Sequence, residues 1–365
     1  MKLQTHRAFN FNAGPSALPI SVLEKAQAEL IDFRGTGMSV MELSHRSLAY
    51  EEVHNQAISS LKELLSIPDT YEVLFLQGGA SLQFSMIPMN FLQIGKKAGY
   101  VMTGSWSEKA FSEAKLFGDV YHAASTKEGN YRRIPNVENV QYHTGDAYLH
   151  LTSNNTIFGT QWKDFPETGD VPLIADMSSD ILSKPIEVSK FALIYAGAQK
   201  NLGPSGVTVV IIRKDLLEQA NTNIPTMLKY STHAKNNSLY NTPPTFGIYM
   251  LGEVLTWARE IGGLTAIAEQ NDKKAKLIYD EIDASNGFYS GHAEPDSRSL
   301  MNITFTVKTK DLEKKFLEQA KQEGFIGING HRSIGGCRVS AYNAVPFEAC
   351  KAFREFMIQF QKDHS

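Results

Sequence analysis

Cysteine is scarce in this sequence. Cys337 and Cys350 are the only two among 365 residues, so neither a disulfide framework nor a four-cysteine zinc site can be built, a usage that fits the cytosol. Long apolar runs are missing too: no stretch reaches the roughly 18 residues that span a bilayer, and Met1–Pro19 lacks the apolar core of a secretory signal. We therefore expect a cytoplasmic protein. Nor is there an excess of one charge. The formal net charge of −3 argues against a general nucleic-acid or membrane partner and leaves room for a local basic pocket. The ten histidines show no H-E-x-x-H spacing, and no metal is expected. Solenoid repeats, low-complexity tracts and long charge blocks are also absent.

What is there reads as an ordinary globular chain, 42% hydrophobic and 21% charged. Its length exceeds one small core and suggests two domains of unequal size. Ser21 and Glu24 have the spacing of a capping box and predict a helix whose Leu23, Ala26, Leu30 and Phe33 fall near one face. A second helix is expected from about Tyr50 to Leu65. After Pro68 the pattern changes to short apolar runs: Val73–Leu76, Tyr100–Met102, Tyr148–Leu151, Leu173–Ala175, Ala192–Ala196 and Val207–Ile212. Several lack polar alternation, as strands buried on both faces do, and helical segments such as Ser107–Leu116 intervene. The fold class is thus α/β, with a mostly parallel sheet between helices. Helices at Ile248–Ile261 and Leu264–Ala284 follow, then a strand at Met301–Val307, a helix at Asp311–Glu323, a strand at Arg338–Ala341 and a last helix from Pro346. We read this last third as a smaller C-terminal α/β domain.

In open α/β sheets ligands gather beyond the carboxyl ends of strands. Val171–Ala175 runs into Asp176, and Ala192–Ala196 is followed by Gly197, Ala198, Gln199 and Lys200. An acid and a lysine at neighbouring strand ends suit pyridoxal 5′-phosphate (PLP) chemistry, where the amine holds the cofactor and the carboxylate keeps the ring nitrogen protonated. Alone, such a pair is most often a helix cap and a surface charge. Val73–Leu76 leads into Gly78, Gly79, Ala80 and Ser81, a turn whose N–H groups can close on a phosphate, or simply a tight turn. It lacks the G-x-x-x-x-G-K-[ST] pattern and the G-x-G-x-x-G signature. Trp106, just past Tyr100–Met102, can stack on a planar ring or fill a core. Thr156 can meet a phenolic oxygen or serve a turn. Four strand ends carrying such groups together outweigh each bland alternative.

The sequence resembles the phosphoserine aminotransferases, class V aminotransferases among the fold-type I PLP enzymes. The resemblance rests on Phe9–Pro15, Ser39–Arg46, Tyr195–Pro204, Tyr240–Thr245 and the segment from Gly330-His331-Arg332 to Arg338. It implies a large PLP-binding domain at 16–262, with 1–15 and 263–365 forming the small domain. It implies one PLP per subunit in Schiff-base linkage to Lys200, with Asp176 at the ring nitrogen, Trp106 stacked and Thr156 at the phenolate. Ala80, Ser81 and Gln199 would hold the phosphate, joined by Asn241 and Thr242 from the other subunit of a homodimer. Many relatives carry Gly-Arg where this chain has Ala80-Ser81, which removes a guanidinium from the phosphate site.

The implied reaction is reversible transamination of 3-phosphohydroxypyruvate with L-glutamate, giving O-phospho-L-serine and 2-oxoglutarate in serine biosynthesis. Some bacterial members also act on the pyridoxine precursor related to 4-phosphohydroxy-L-threonine. Glutamate brings two carboxylates and 3-phosphohydroxypyruvate a carboxylate and a phosphate, and arginine forks suit both kinds of anion. By resemblance Arg338 clamps the α-carboxylate, while His45, Arg46, His331 and Arg332 receive the distal anion, some across the dimer interface; as an unplaced set they read as surface groups. Competing readings are a serine–glyoxylate-like aminotransferase, a cysteine desulfurase needing a mobile cysteine, a PLP-binding regulator and a catalytically silent scaffold.

Overall fold

The computed structural model describes residues 7–365, so the first six residues of the expected small-domain segment 1–15 lie outside the described residues. A seven-stranded sheet dominates. Its strands are β2 (Tyr71–Leu76), β3 (Lys97–Met102), β4 (Asp119–Ser125), β5 (Tyr148–Thr152), β6 (Leu173–Asp176), β7 (Leu193–Gly197) and β8 (Thr208–Arg213), β1 being a short strand at Phe9–Asn10. The spatial order is β2-β8-β7-β6-β5-β3-β4. Strands β4, β3, β5, β6 and β7 pair in parallel, whereas β8 runs antiparallel to both of its neighbours. Two reversals restore direction, so β2 points the same way as β7. The carboxyl ends of β2, β3, β5, β6 and β7 therefore share one edge.

The apolar runs hide a strict alternation. On β7, Ile194 and Ala196 join one core with Leu151, Leu173, Val209 and Ile211, packed under α2 (Leu48–Leu64) and α5 (Thr245–Glu260). Leu193 and Tyr195 face the opposite core with Tyr100, Tyr148, Ile174 and Val210, under α3 (Gly79–Phe91) and α4 (Ser105–Ala114). Both faces are covered, which is why the sequence shows continuous hydrophobicity. The edge strand β4 has several part-exposed residues and no apolar run, and the sequence reading missed it.

Helix α1 (Ile20–Glu29) corrects another expectation. Pro19, not Ser21, is its N-cap, and no side-chain cap forms. Pro19 sits at φ −59°, ψ 135°, an extended entry that its ring favours, and its carbonyl accepts from Leu23 N–H at 3.2 Å. The helix begins before the Ser21–Glu24 pair can bracket it. It also stops short of Phe33, which lies in a separate 3-10 turn.

The small lobe holds α6 (Gly263–Ala284), β9 (Tyr289–Gly291), β10 (Asn302–Val307), α7 (Lys310–Gln322), β11 (Phe325–Ile326), β12 (Cys337–Ser340) and α8 (Phe347–His364). Strands β9-β10-β12 form an antiparallel sheet, and the N-terminal β1 pairs in parallel with β11. Phe316 of α7 is fully buried at its centre, with the rings of Phe356 and Phe360 each 5.0 Å away and Tyr289 at 5.7 Å. Among the described residues no helix is long and apolar enough to cross a membrane. Phe316→Ala should cost about 3–5 kcal/mol, the usual range for emptying an aromatic core position. Urea unfolding followed by circular dichroism checks this, and a loss under about 1 kcal/mol would show that the cluster is not the keystone of that lobe.

Candidate active site

Five carboxyl ends converge on a cavity of about 300 Å³. Its wall includes Ala80 and Ser81 after β2, Trp106 after β3, Thr156 after β5, Asp176 at the end of β6, and Gln199 and Lys200 after β7; His331 and Arg338 arrive from the small lobe. The chain leaves β3 toward β4 on one side, whereas β5 pairs on the other side of β3 and leads on to β6 and β7. The cavity thus opens where strand order reverses, the usual crevice of such sheets.

Each group has a local cause. Gly78 and Gly79 adopt φ of +87° and +63°, a left-handed entry that side chains resist, and α3 starts there. The first-turn N–H groups of α3, including those of Ala80 and Ser81, have no helical partner, so they form a backbone anion seat without a guanidinium. Asp176 pairs in register with Tyr195 of β7 and Thr152 of β5. Its Oδ1 accepts the backbone N–H of Ser178 at 2.9 Å in an Asx turn. Burial pushes its carboxyl up, opposed by Ser178 and by the positive charge of Lys200. Lys200 Nζ donates to Thr156 Oγ1 at 2.7 Å. Desolvation lowers its pKa to about 8, with Asp176 pulling the other way and Arg338 adding to the drop.

Arg338 comes from β12, half-buried. One guanidinium N–H donates to the Thr156 carbonyl at 3.2 Å, and its buried Nε has no protein partner. It forms no ion pair among the described residues. His331 is pushed down by burial and by the nearby charges of Arg338, Arg332 and Lys109. Together these make one basic face. Trp106 Nε1 is likewise buried without a partner, and the Lys109 ammonium lies 4.4 Å from its ring centroid.

The structure does not bring every expected residue to the cavity. Asn241 and Thr242 are off its wall, part-exposed and exposed, as are His45 and the exposed Arg46, although His45 Nε2 is buried without a partner. Arg332 is exposed and off the wall, and its charge lowers the pKa of His331, which is on it. Conversely, sequence reasoning missed Ala13, Gly14, Thr152, Asn154, Ser178 and Ser179, which all line it. Ser178 was detectable from the Asp-x-Ser spacing, which favours an Asx turn. Asp180, buried and raised to about 6 by desolvation, is held by Ser153 and by Gln161 at 3.1 Å, and had no sequence signal.

The aminotransferase class-V family profile matches residues 8–353. The chain belongs to that family. It is 69% identical over 360 residues to a phosphoserine aminotransferase of Lysinibacillus sphaericus (strain C3-41), covering 99% of each chain. The solved phosphoserine aminotransferase of Bacillus circulans subsp. alkalophilus superposes with a TM-score of 0.98 at 59% identity, across 99% of this chain and 100% of that one. The PLP-bound phosphoserine aminotransferase of Trichomonas vaginalis gives 0.91 at 40% identity, across 96% and 100%.

The residues present fit PLP. The cavity offers a partly neutral lysine, a buried carboxylate, helix N–H groups for a phosphate and an aromatic wall. Below about pH 8 the Lys200 ammonium dominates, and above it the reactive amine. In the cofactor-free protein, labelling of Lys200 by a small aldehyde should rise with pH, reach half its plateau near pH 8 and then level off. Peptide mapping reads the site. A half-point near the ordinary lysine value of 10.5 would contradict the desolvation argument.

Proposed function

We propose that the chain catalyses reversible amino-group transfer between L-glutamate and 3-phosphohydroxypyruvate, yielding O-phospho-L-serine and 2-oxoglutarate, with PLP held on Lys200. The observation that carries the reading is one cavity wall on which a depressed-pKa lysine, a buried carboxylate and an acid-free guanidinium meet. The 58–69% identity to curated phosphoserine aminotransferases supports the substrate pair. When bound, PLP supplies an electron sink for the carbanion formed at the substrate's α-carbon.

The protein's part is positioning and proton movement. Asp176 would pair with the cofactor's ring nitrogen, whose positive charge would oppose the desolvation that raises the acid's pKa. Ala80, Ser81 and Gln199, which line the cavity, would hold the cofactor's phosphate, Trp106 would stack on its ring and Thr156 would meet its phenolic oxygen. With its amine free, Lys200 would take the α-proton and later return one, acting as general base and acid. A pKa of about 8 suits both directions near neutral pH. Arg338 pairs with the α-carboxylate common to both substrates, Arg332 extends positive potential toward the distal carboxylate or phosphate, and His331, pushed toward its neutral form, offers a ring nitrogen for hydrogen bonding there.

The working unit in this reading is a homodimer. Leu48 and Ile31 stand 80% and 84% exposed, with Met38, Met41 and Tyr240 also exposed, in the same segments that carry His45, Arg46, Asn241 and Thr242. A second subunit covering this apolar ground brings those four polar residues to the neighbouring site, which explains their absence from the cavity of their own chain. A division into lobes at 16–262 and 1–15 plus 263–365 is supported by two separate cores and by the β1–β11 pairing, although Ala17 packs in the small-lobe core and Leu264 and Ile267 pack in the large one.

A desulfurase is disfavoured. Cys337 and Cys350 are both buried, and desolvation raises both thiols, that of Cys350 to about 11, so neither offers a mobile thiolate.

Lys200→Ala should abolish the imine absorption band and nearly all turnover; an intact band would place the anchor elsewhere. Arg338→Ala should weaken both glutamate and 3-phosphohydroxypyruvate by about 1.5–3 kcal/mol, the worth of a charge-assisted contact. Steady-state kinetics with each acid varied reads this, and a penalty confined to one acid would remove Arg338 as the shared clamp.

A further inference from the structure

A second buried lysine lies outside the cavity. Lys274, midway along α6, is 1% exposed and makes no ion pair among the described residues. Its ammonium instead donates to three backbone carbonyls, those of Ala341 at 3.1 Å, Tyr342 at 2.7 Å and Val345 at 3.2 Å. All three belong to the turn that follows β12. An ammonium has three N–H donors, and here each has a partner. Burial lowers its pKa to about 8, with Cys350 of α8 opposing, so the cation dominates at neutral pH.

The turn is a junction. Its first residue follows the strand that carries Arg338. Tyr342 donates its hydroxyl to the carbonyl of Ala13, a cavity residue, at 2.8 Å. The N–H of Asn343 donates to Oδ1 of Asn201, the residue after Lys200, at 3.0 Å. One internal cation thus gathers a loop that touches three parts of the site. Without it, three carbonyls turned toward one point would repel one another, and only that of Tyr342, which also accepts the Val345 N–H at 2.9 Å, would keep a donor.

We propose that Lys274 is a positioning residue for transamination: the 341–345 turn folds around its ammonium, and that turn sets Arg338 and the Lys200–Asn201 segment in register. This rests on the transaminase reading above. Lys274 acts through the turn and touches neither substrate nor cofactor. Displacements on the order of 1 Å in such supports can cost about a hundredfold in rate.

The test uses the cofactor-loaded enzyme, with rates expressed per loaded site. Lys274→Met, which keeps the stem and removes the charge, should bind PLP yet lose about tenfold in kcat/KM for both acids. Combined with Asn201→Ala, the loss should be smaller than the product of the single losses, because both act through one turn. Lys274→Ala should regain activity with ethylammonium, which supplies N–H donors, and not with tetramethylammonium at equal ionic strength. A Lys274→Met enzyme within twofold of wild type, a fully multiplicative double variant, or equal rescue by both amines would overturn the proposal. Should the neutral variants fail to fold, Lys274→Arg keeps the cation but cannot fit the same three carbonyls; it should fold and show reduced kcat/KM, and wild-type kcat/KM there would also overturn it. Failure of the transaminase reading is separate, since it would appear as absent turnover in the wild-type enzyme.

Discussion

The structure depends on holding a lysine amine and a carboxylate together at the ends of adjacent parallel strands, the acid buried and the lysine half-buried at the cavity wall. Desolvation is the largest influence on each, pulling the lysine down and pushing the acid up. Each group alone would be driven toward neutrality. Their mutual attraction limits the drift, and a bound heterocycle with a cationic nitrogen would tip the acid to its charged form. A site poised in this way is reactive because neither group is satisfied by solvent.

Strand order makes that placement possible. The reversal at β8 allows β2 to rejoin the parallel direction, bringing the α3 N-terminus to the same edge as Asp176 and Lys200. The small lobe then closes the cavity from the other side through β12 and the turn after it. Arg338 and His331 are thereby delivered from a segment more than a hundred residues downstream of Lys200. The basic face for anionic substrates is a product of how two lobes meet, and the buried ammonium of Lys274 sits at that meeting point.

Much of this was legible in the chain. The apolar runs announced the parallel strands because both sheet faces are covered, and the residues after each run were the right places to look for chemistry. Asp176, Lys200, Trp106 and Thr156, picked out in this way, all line one cavity. Misses have physical reasons. Strand β4 lies on an exposed edge and carries no hydrophobic signature. The Ser21–Glu24 pair has capping spacing, but Pro19 starts the helix first. Lys109 is an ordinary helix residue until tertiary packing sets it over Trp106. Asn241 and Thr242, which the resemblance assigns to the other subunit's site, lie off the cavity of their own chain, as do His45 and Arg46, for which the resemblance left the subunit open. Lys274 was invisible: a lysine on an amphipathic helix reads as a solvated charge until three carbonyls are found around it.

The central claim is that Lys200, and no other lysine, holds the cofactor. Incubating the protein with PLP, fixing the adduct with borohydride and mapping the labelled peptide addresses it directly. A single pyridoxyl group on Lys200, one per chain, is the expected result. Stoichiometric label on Lys109, Lys274 or any other lysine, with Lys200 unmodified, would contradict the account.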